Sequence, residues 1–455
     1  MRGRRRTGHV DTRLERLASA LRPIGMAGRL AITIGAGLAV GGTAFGDDRV
    51  EAYAAPPVTA DSISGDTQPS TRPRCGPDMP PSVHCGTTPT AAFDRSGRLW
   101  VAFAQRDHVY VASSDDAGRS FGPAARVNAV PETLDVNGEN RPKIAFGTRG
   151  EIYVSWTRKL PGGYNGDIRF SRSLDRGERF EPPLTINDDG LPTGHRFESL
   201  EADAAGNVYL VWLDKRDTHA GFAASGGASV YYTVSTDGGA TFAPNRRVAA
   251  GSCECCRIAI ARSADSVGAA IFWRHVFPGS IRDHAFAVIG PDGVLAPARR
   301  ATYDDWRIDA CPHHGPAMSA ADDGSYELAW FSGGGSRKGI SYGRYDPGSG
   351  AVTRVRTMSA SPGASHPHLA FVAGRSFLVW KAFDGARTRV LLTVTNDRGL
   401  EWSTPASVAS TLGASDHPFL AARGEEVFLV WHTEDEGLVV VGVGESATPW
   451  TGETN

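Results

Sequence analysis

HVYVASSDDAGRSF, residues 108–121, begins as an alternating apolar run and ends in a turn carrying Ser114, Asp116, Gly118 and Phe121. The pattern returns in DIRFSRSLDRGERF (167–180), SVYYTVSTDGGATF (229–242) and RVLLTVTNDRGLEW (389–402). Each copy reads as a strand followed by S/T-x-D-x-G-x-x-F/W. The physics of that turn is local. The Asp carboxylate accepts backbone N–H groups, Gly permits positive φ, and the aromatic plugs between adjacent strands.

Upstream of each copy lies another apolar run ending in an aromatic, and this run occurs seven times. The copies are LWVAF to Phe103, IYVSW to Trp156, VYLVW to Trp212, AIFW to Trp273, YELAW to Trp330, FLVW to Trp380 and FLVW to Trp431. The spacings are 53, 56, 61, 57, 50 and 51 residues, room for four short strands per repeat. A shorter apolar stretch and a turn precede the runs, as in KIAFGTRGE (143–151) and FLAARGEE (419–426), where Gly marks a hairpin. No helical periodicity competes. The pattern predicts an all-β propeller of four-stranded blades over residues 87–445. Counting runs gives seven blades, with six plus an accessory hairpin as the rival. The last repeat holds three strands and a tail (446–455), so closure is expected to borrow a strand from residues before Ala91. Repeats four and five keep only degenerate turns, at Gly290–Gly293 and Asp346–Gly348.

The four turn motifs, in register with strands, resemble the Asp box of the sialidase superfamily. The resemblance implies a structural role for Asp116, Asp175, Asp237 and Asp397, six blades as the usual count, and a carboxylate-binding trio of arginines. Arg141, Arg196 and Arg257 hold matching positions in three consecutive repeats, with Glu198 beside the second. Guanidinium groups bind carboxylates bidentately, yet each arginine can equally serve backbone carbonyls or acidic neighbours. The family's acid corresponds to Asp107. The chain departs from catalytic sialidases elsewhere. Thr87-Thr88-Pro89-Thr90 stands where Arg-Ile-Pro belongs, and the Tyr–Glu nucleophile pair has no secure counterpart. Tyr342 and Glu198 are candidates whose spacing compels nothing.

In a propeller the segments leading into the first strands converge on one face around the axis. Those segments carry Cys253, Cys255, Cys256, Cys311, His313, His314, His366, His368 and His417. Thiolate and imidazole together suit copper or zinc, copper slightly favoured. The CECC and CPHHGP stretches match no standard zinc-finger spacing, and in an exported chain disulfides between Cys311 and the cluster are the rival reading. Cys75 and Cys85 are expected to form a structural disulfide.

Lys plus Arg number 48 and Asp plus Glu 50, giving a formal charge of -2 and no reason to expect nucleic acid. Residues 1–54 read as a signal peptide or membrane anchor, with a basic start, an apolar Gly/Ala-rich stretch and Ala52-Tyr53-Ala54 as a cleavage-like site. Residues 55–86 read as an extended lead-in. The protein is therefore expected outside the cytoplasm, touching membrane only through its N-terminal segment. Three readings follow. It binds a metal or a small anionic ligand or glycan at the central face; it is an exo-sialidase-type glycoside hydrolase; or it is a non-catalytic adhesion or scaffold module.

Overall fold

The seven aromatic runs form the second strands of seven blades. In each, alternate side chains point to opposite faces, and both faces are apolar. Tyr209, Val211 and Leu213 pack toward the fourth blade, while Leu210 and Trp212 pack toward the second. A strand covered on both sides is apolar along most of its length, which is why the runs show no polar alternation; Ser155 and Glu327 are buried polar exceptions. The terminal aromatic always faces the preceding blade, and all six tryptophans in this position are fully buried.

The computed structural model describes residues 75–444, apart from 77, 220–226, 264–266 and 336. The expected leader, and the tail after residue 445, lie outside the described residues. The chain is a seven-bladed β-propeller. Among the described residues six antiparallel sheets have four strands in chain order, and the seventh has three. The only helix among the described residues is one turn, Arg216–His219. The first strands are Thr87–Phe93, Lys143–Phe146, His195–Ala202, Ala259–Arg262, Ala317–Ala320, Ala364–Val372 and Phe419–Arg423. Each packs beside the next around the ring, and Phe419–Arg423 meets Thr87–Phe93. Seven apolar clusters fill the seven blade interfaces.

Closure differs from the expectation. Thr87–Phe93 is the inner strand of blade one, and no strand before it pairs with blade seven among the described residues. The lead-in docks without strand pairing instead. Val83 is buried in the cluster between blades one and seven with Phe419, Val430 and Leu438, and the Cys75–Cys85 disulfide closes the segment preceding it.

The four S/T-x-D-x-G-x-x-F/W turns share one hydrogen-bond pattern. In blade two, Ser173 Oγ donates to Asp175 at 2.8 Å and accepts from Gly177 N at 2.8 Å, while Asp175 accepts Arg179 N at 2.9 Å. Phe121, Phe180, Phe242 and Trp402 each enter the apolar cluster shared with the preceding blade. The turn therefore joins blades as well as reversing the chain.

Candidate functional site

The segments leading into the inner strands converge, and Glu139 is their meeting point. Asn137 folds back on itself here, its Oδ1 accepting the N–H of Glu139 and of Asn140. That turn aims Glu139 across the axis. Its Oε2 accepts Arg257 N at 2.9 Å and Gly315 N at 3.0 Å, and its Oε1 accepts Arg257 Nη1 at 2.7 Å. His417 Nδ1 lies 3.3 Å from Oε1, and the His417 ring stacks on His366 with centroids 3.5 Å apart. Burial by itself would raise this carboxyl's pKa. Arg257 and His417 outweigh burial and hold it well below the usual range. The residue thus ties blade two to blades four, five and seven.

Arg141 and Arg257 line the same axial cavity of about 170 Å³, with Lys143, His368 and His417. Both guanidinium groups are already engaged. Arg141 donates to Pro89 O, to Gly138 O and to Asp416. Arg257 donates to Pro316 O, Pro367 O and Glu139. They lace blades together, as the carbonyl-and-acid alternative anticipated. Arg196 is elsewhere. It pairs with Asp135 and lines a second cavity, so the structure does not gather the three arginines at one spot. Glu198 is buried and accepts Thr157 Oγ1 at 2.8 Å, with burial raising its pKa. Burial draws the neighbouring Lys143 ammonium down to about 8, against the opposing pull of Glu198.

The two remaining glycosidase candidates lie apart from both cavities. Asp107 is exposed at the hairpin joining the second and third strands of blade one. Tyr342 is buried against Trp402 between blades five and six and hydrogen-bonds Glu327.

The nine proposed metal ligands divide into separate groups. Cys253, Cys255 and Cys256 are buried and form a triangle of sulfurs with sides of 3.7, 3.8 and 3.8 Å. Cys311 brings its sulfur within 4.8 Å of those of Cys253 and Cys255. These four are free thiols. His313 lines the adjoining cavity with Cys255 and Cys311. His366 and His417 gather at Glu139 instead. His314 lies against Phe331, 4.1 Å between centroids, and burial lowers its pKa to about 4. His368 accepts Leu420 N through Nδ1 at 3.2 Å and is lowered to about 3, again by burial.

Beside the sulfurs lies Arg274, 1 % exposed. Its guanidinium donates to the carbonyls of Arg282, His314 and Phe331. No carboxylate stands within ion-pair distance among the described residues. Those carbonyls and the Trp306 ring, 5.0 Å from the guanidinium, take up its charge, which also favours the thiolate forms of Cys253 and Cys256. Within the group the neighbouring thiols foremost push the Cys253 thiol far down, while they push Cys255 and Cys311 up and burial raises Cys256.

Three residues of this face escaped the sequence reading. Glu139 lies two positions before the flagged Arg141. Lys143 opens the KIAF run. Arg274 follows Trp273 directly, and no other tryptophan in the seven runs has an arginine after it; that difference was the available signal.

No known protein family matches this chain by sequence, and no curated protein does. Solved structures do resemble its fold. An ulvan lyase from a new polysaccharide-lyase family is 12 % identical with a TM-score of 0.50, covering 80 % of this chain and 95 % of that one. A Hadza microbial sialidase is 12 % identical at a TM-score of 0.47, covering 77 % and 73 %. A Penicillium chrysogenum α-L-arabinanase complexed with arabinobiose is 13 % identical at 0.45, covering 81 % and 97 %. At such identities the likeness to the ulvan lyase is one of fold.

Proposed function

We propose that this protein is an extracytoplasmic propeller of sialidase-superfamily type that holds a thiophilic ion, copper(I) or zinc, on Cys253, Cys255, Cys256 and Cys311. The sulfur triangle carries the reading. A tetrahedral ion with ~2.3 Å bonds to sulfur has sulfur–sulfur edges of ~3.8 Å, and the triangle's sides are 3.7–3.8 Å. Arg274 supplies the buried positive charge that offsets thiolates in a low-dielectric interior. The bound ion would supply a soft electrophilic centre facing the second cavity. The chain's own part is to hold the sulfurs converged; the ion itself displaces their protons on binding. The Cys255 and Cys311 sides of the cluster meet the cavity, while Cys253 and Cys256 stay covered.

An anionic or glycan ligand in the axial cavity has weaker support, because Arg141 and Arg257 are engaged with backbone carbonyls and carboxylates. The test is elemental analysis of protein purified and reconstituted under reducing conditions. About one zinc or copper per chain is expected, with loss of the ion in Cys256→Ser. A wild type that stays ion-free although its intact mass shows the four thiols reduced overturns the proposal.

A further inference from the structure

The four sulfurs are not equivalent. Cys253, Cys255 and Cys256 are 1 %, 5 % and 2 % exposed and sit in the apolar cluster between blades three and four. Cys311 is exposed, in a stretch without regular structure that precedes the inner strand of blade five. The second cavity, about 240 Å³, runs up to Cys255 and Cys311 from the outside. That is well above the ~10–15 Å³ a single water requires.

The charges around this cavity are already neutralised. Arg196 is paired with Asp135 and lies over the rings of Tyr164 and Phe197. Lys215 is paired with Glu254 at 2.5 Å. No unbalanced charge draws in a hard anion. What binds here is set by the ion's own preference, and a thiophilic ion exchanges sulfur for sulfur.

We propose that Cys311 is a displaceable ligand, and that the cavity beside it admits a small thiol which takes its place, so that the site exchanges its ion. The inference rests on the metal reading above. The step is a ligand substitution without redox change. The bond from the ion to Cys311 sulfur breaks and a bond to the incoming sulfur forms. The proton leaving the incoming thiol is taken up by the departing Cys311 thiolate. The three buried thiolates hold the ion in this mixed complex, and further incoming thiols displace them in the same way, each giving its proton to the thiolate it replaces, so that the ion leaves. A structural site, by contrast, closes all four positions alike.

The experiment compares the full wild-type chain with Cys311→Ser and Cys256→Ser. Each is reduced, loaded separately with zinc(II) or copper(I), desalted, and challenged with glutathione in the presence of a chromogenic chelator. Cys311→Ser is expected to retain about one ion per chain and to release it roughly tenfold faster than wild type, since affinity differences between related sites reside mainly in off-rates. Cys256→Ser is expected to retain none. In the loaded wild type, iodoacetamide is expected to label Cys311 ahead of the other three. A Cys311→Ser chain as ion-free as Cys256→Ser makes Cys311 an obligate ligand and overturns this inference while leaving the metal reading intact. Equal release from wild type and Cys311→Ser overturns it as well, because Cys311 is then no ligand. A wild type that holds neither ion removes the metal reading itself.

Discussion

Glu139 has both carboxylate oxygens committed, to two backbone N–H groups and the Arg257 guanidinium. Removing its charge leaves a buried guanidinium short of its partner, a change that typically costs about 3–5 kcal/mol. Glu139→Gln is therefore expected to lower the unfolding free energy at pH 7 by about that much, read from denaturant midpoints. The pH dependence has a definite sign. The folded pKa lies below the ordinary value of 4.5, so the ion pair's contribution is fully present above that value. It is lost as pH falls through the folded pKa. The gap between wild type and Glu139→Gln should shrink in acid below about pH 4.5; a gap that stays constant would mean the charge contributes nothing to folding. In the sequence, Glu139 is one of 50 acidic residues, with no motif around it. Its role comes from pointing at residues more than a hundred positions away, which no local pattern encodes. The cysteines and histidines were easier to pick out because their residue types are scarce. Which of them meet was harder. His366 and His417 sit with Glu139, and His313 sits with the sulfurs, a partition set by which blade each belongs to and how far its lead-in reaches.

The recurrent turn is where local sequence and packing agree. Gly177 has φ of +87°, and a Cβ there would sit 2.7 Å from the Trp100 ring of the preceding blade. Gly150 has φ of +92° and nothing within 4 Å. The two positions separate backbone strain from blade packing. Gly150→Ala is expected to cost about 1 kcal/mol, the penalty of a left-handed conformation for a residue with a Cβ. Gly177→Ala carries that penalty and an overpacked interface besides, about 2–4 kcal/mol in total. Thermal and denaturant unfolding of the two variants measures the difference. Equal losses would show that the turn does not fasten adjacent blades. This element was legible in the sequence because its chemistry is short-range: Ser, Asp, Gly and an aromatic within eight residues. The seven strand runs were legible for a related reason, since each is covered on both faces and so stays apolar along most of its length. The fourth strands gave little signal: those of blades one, two and four have only two residues, and such strands lie at the edge of their sheets, as the exposed Leu184–Thr185 does.

At the scale of the ring, something must hold blade seven to blade one when the described residues give the last blade three strands. A borrowed outer strand was the sequence expectation. The structure substitutes a clasp made by the lead-in and the ionic lacing at the axis. Residues 75, 76 and 78–86 bridge blades one and seven. Ser82 N donates to Gln105 Oε1 at 3.0 Å and Arg106 Nη2 to Gly76 O at 3.0 Å, while Val83 fills the interface with Phe419 and Leu438. At the axis, Arg141 of blade two reaches Pro89 of blade one and Asp416 of blade seven. The Cys75–Cys85 bond, spanning 10 positions, limits the freedom the clasp has in the unfolded chain. Chain-entropy arguments give such a loop about 2–3 kcal/mol. Cys75→Ser/Cys85→Ser is expected to lose that amount in denaturant unfolding. The clasp also makes a sharper demand. If the disulfide seats Val83, then Val83→Ala and the double serine change act on one unit, and their combined effect falls short of the sum by at least about 0.5 kcal/mol. Strict additivity would mean the lead-in adheres piecewise, leaving the axial lacing to hold blade seven against blade one.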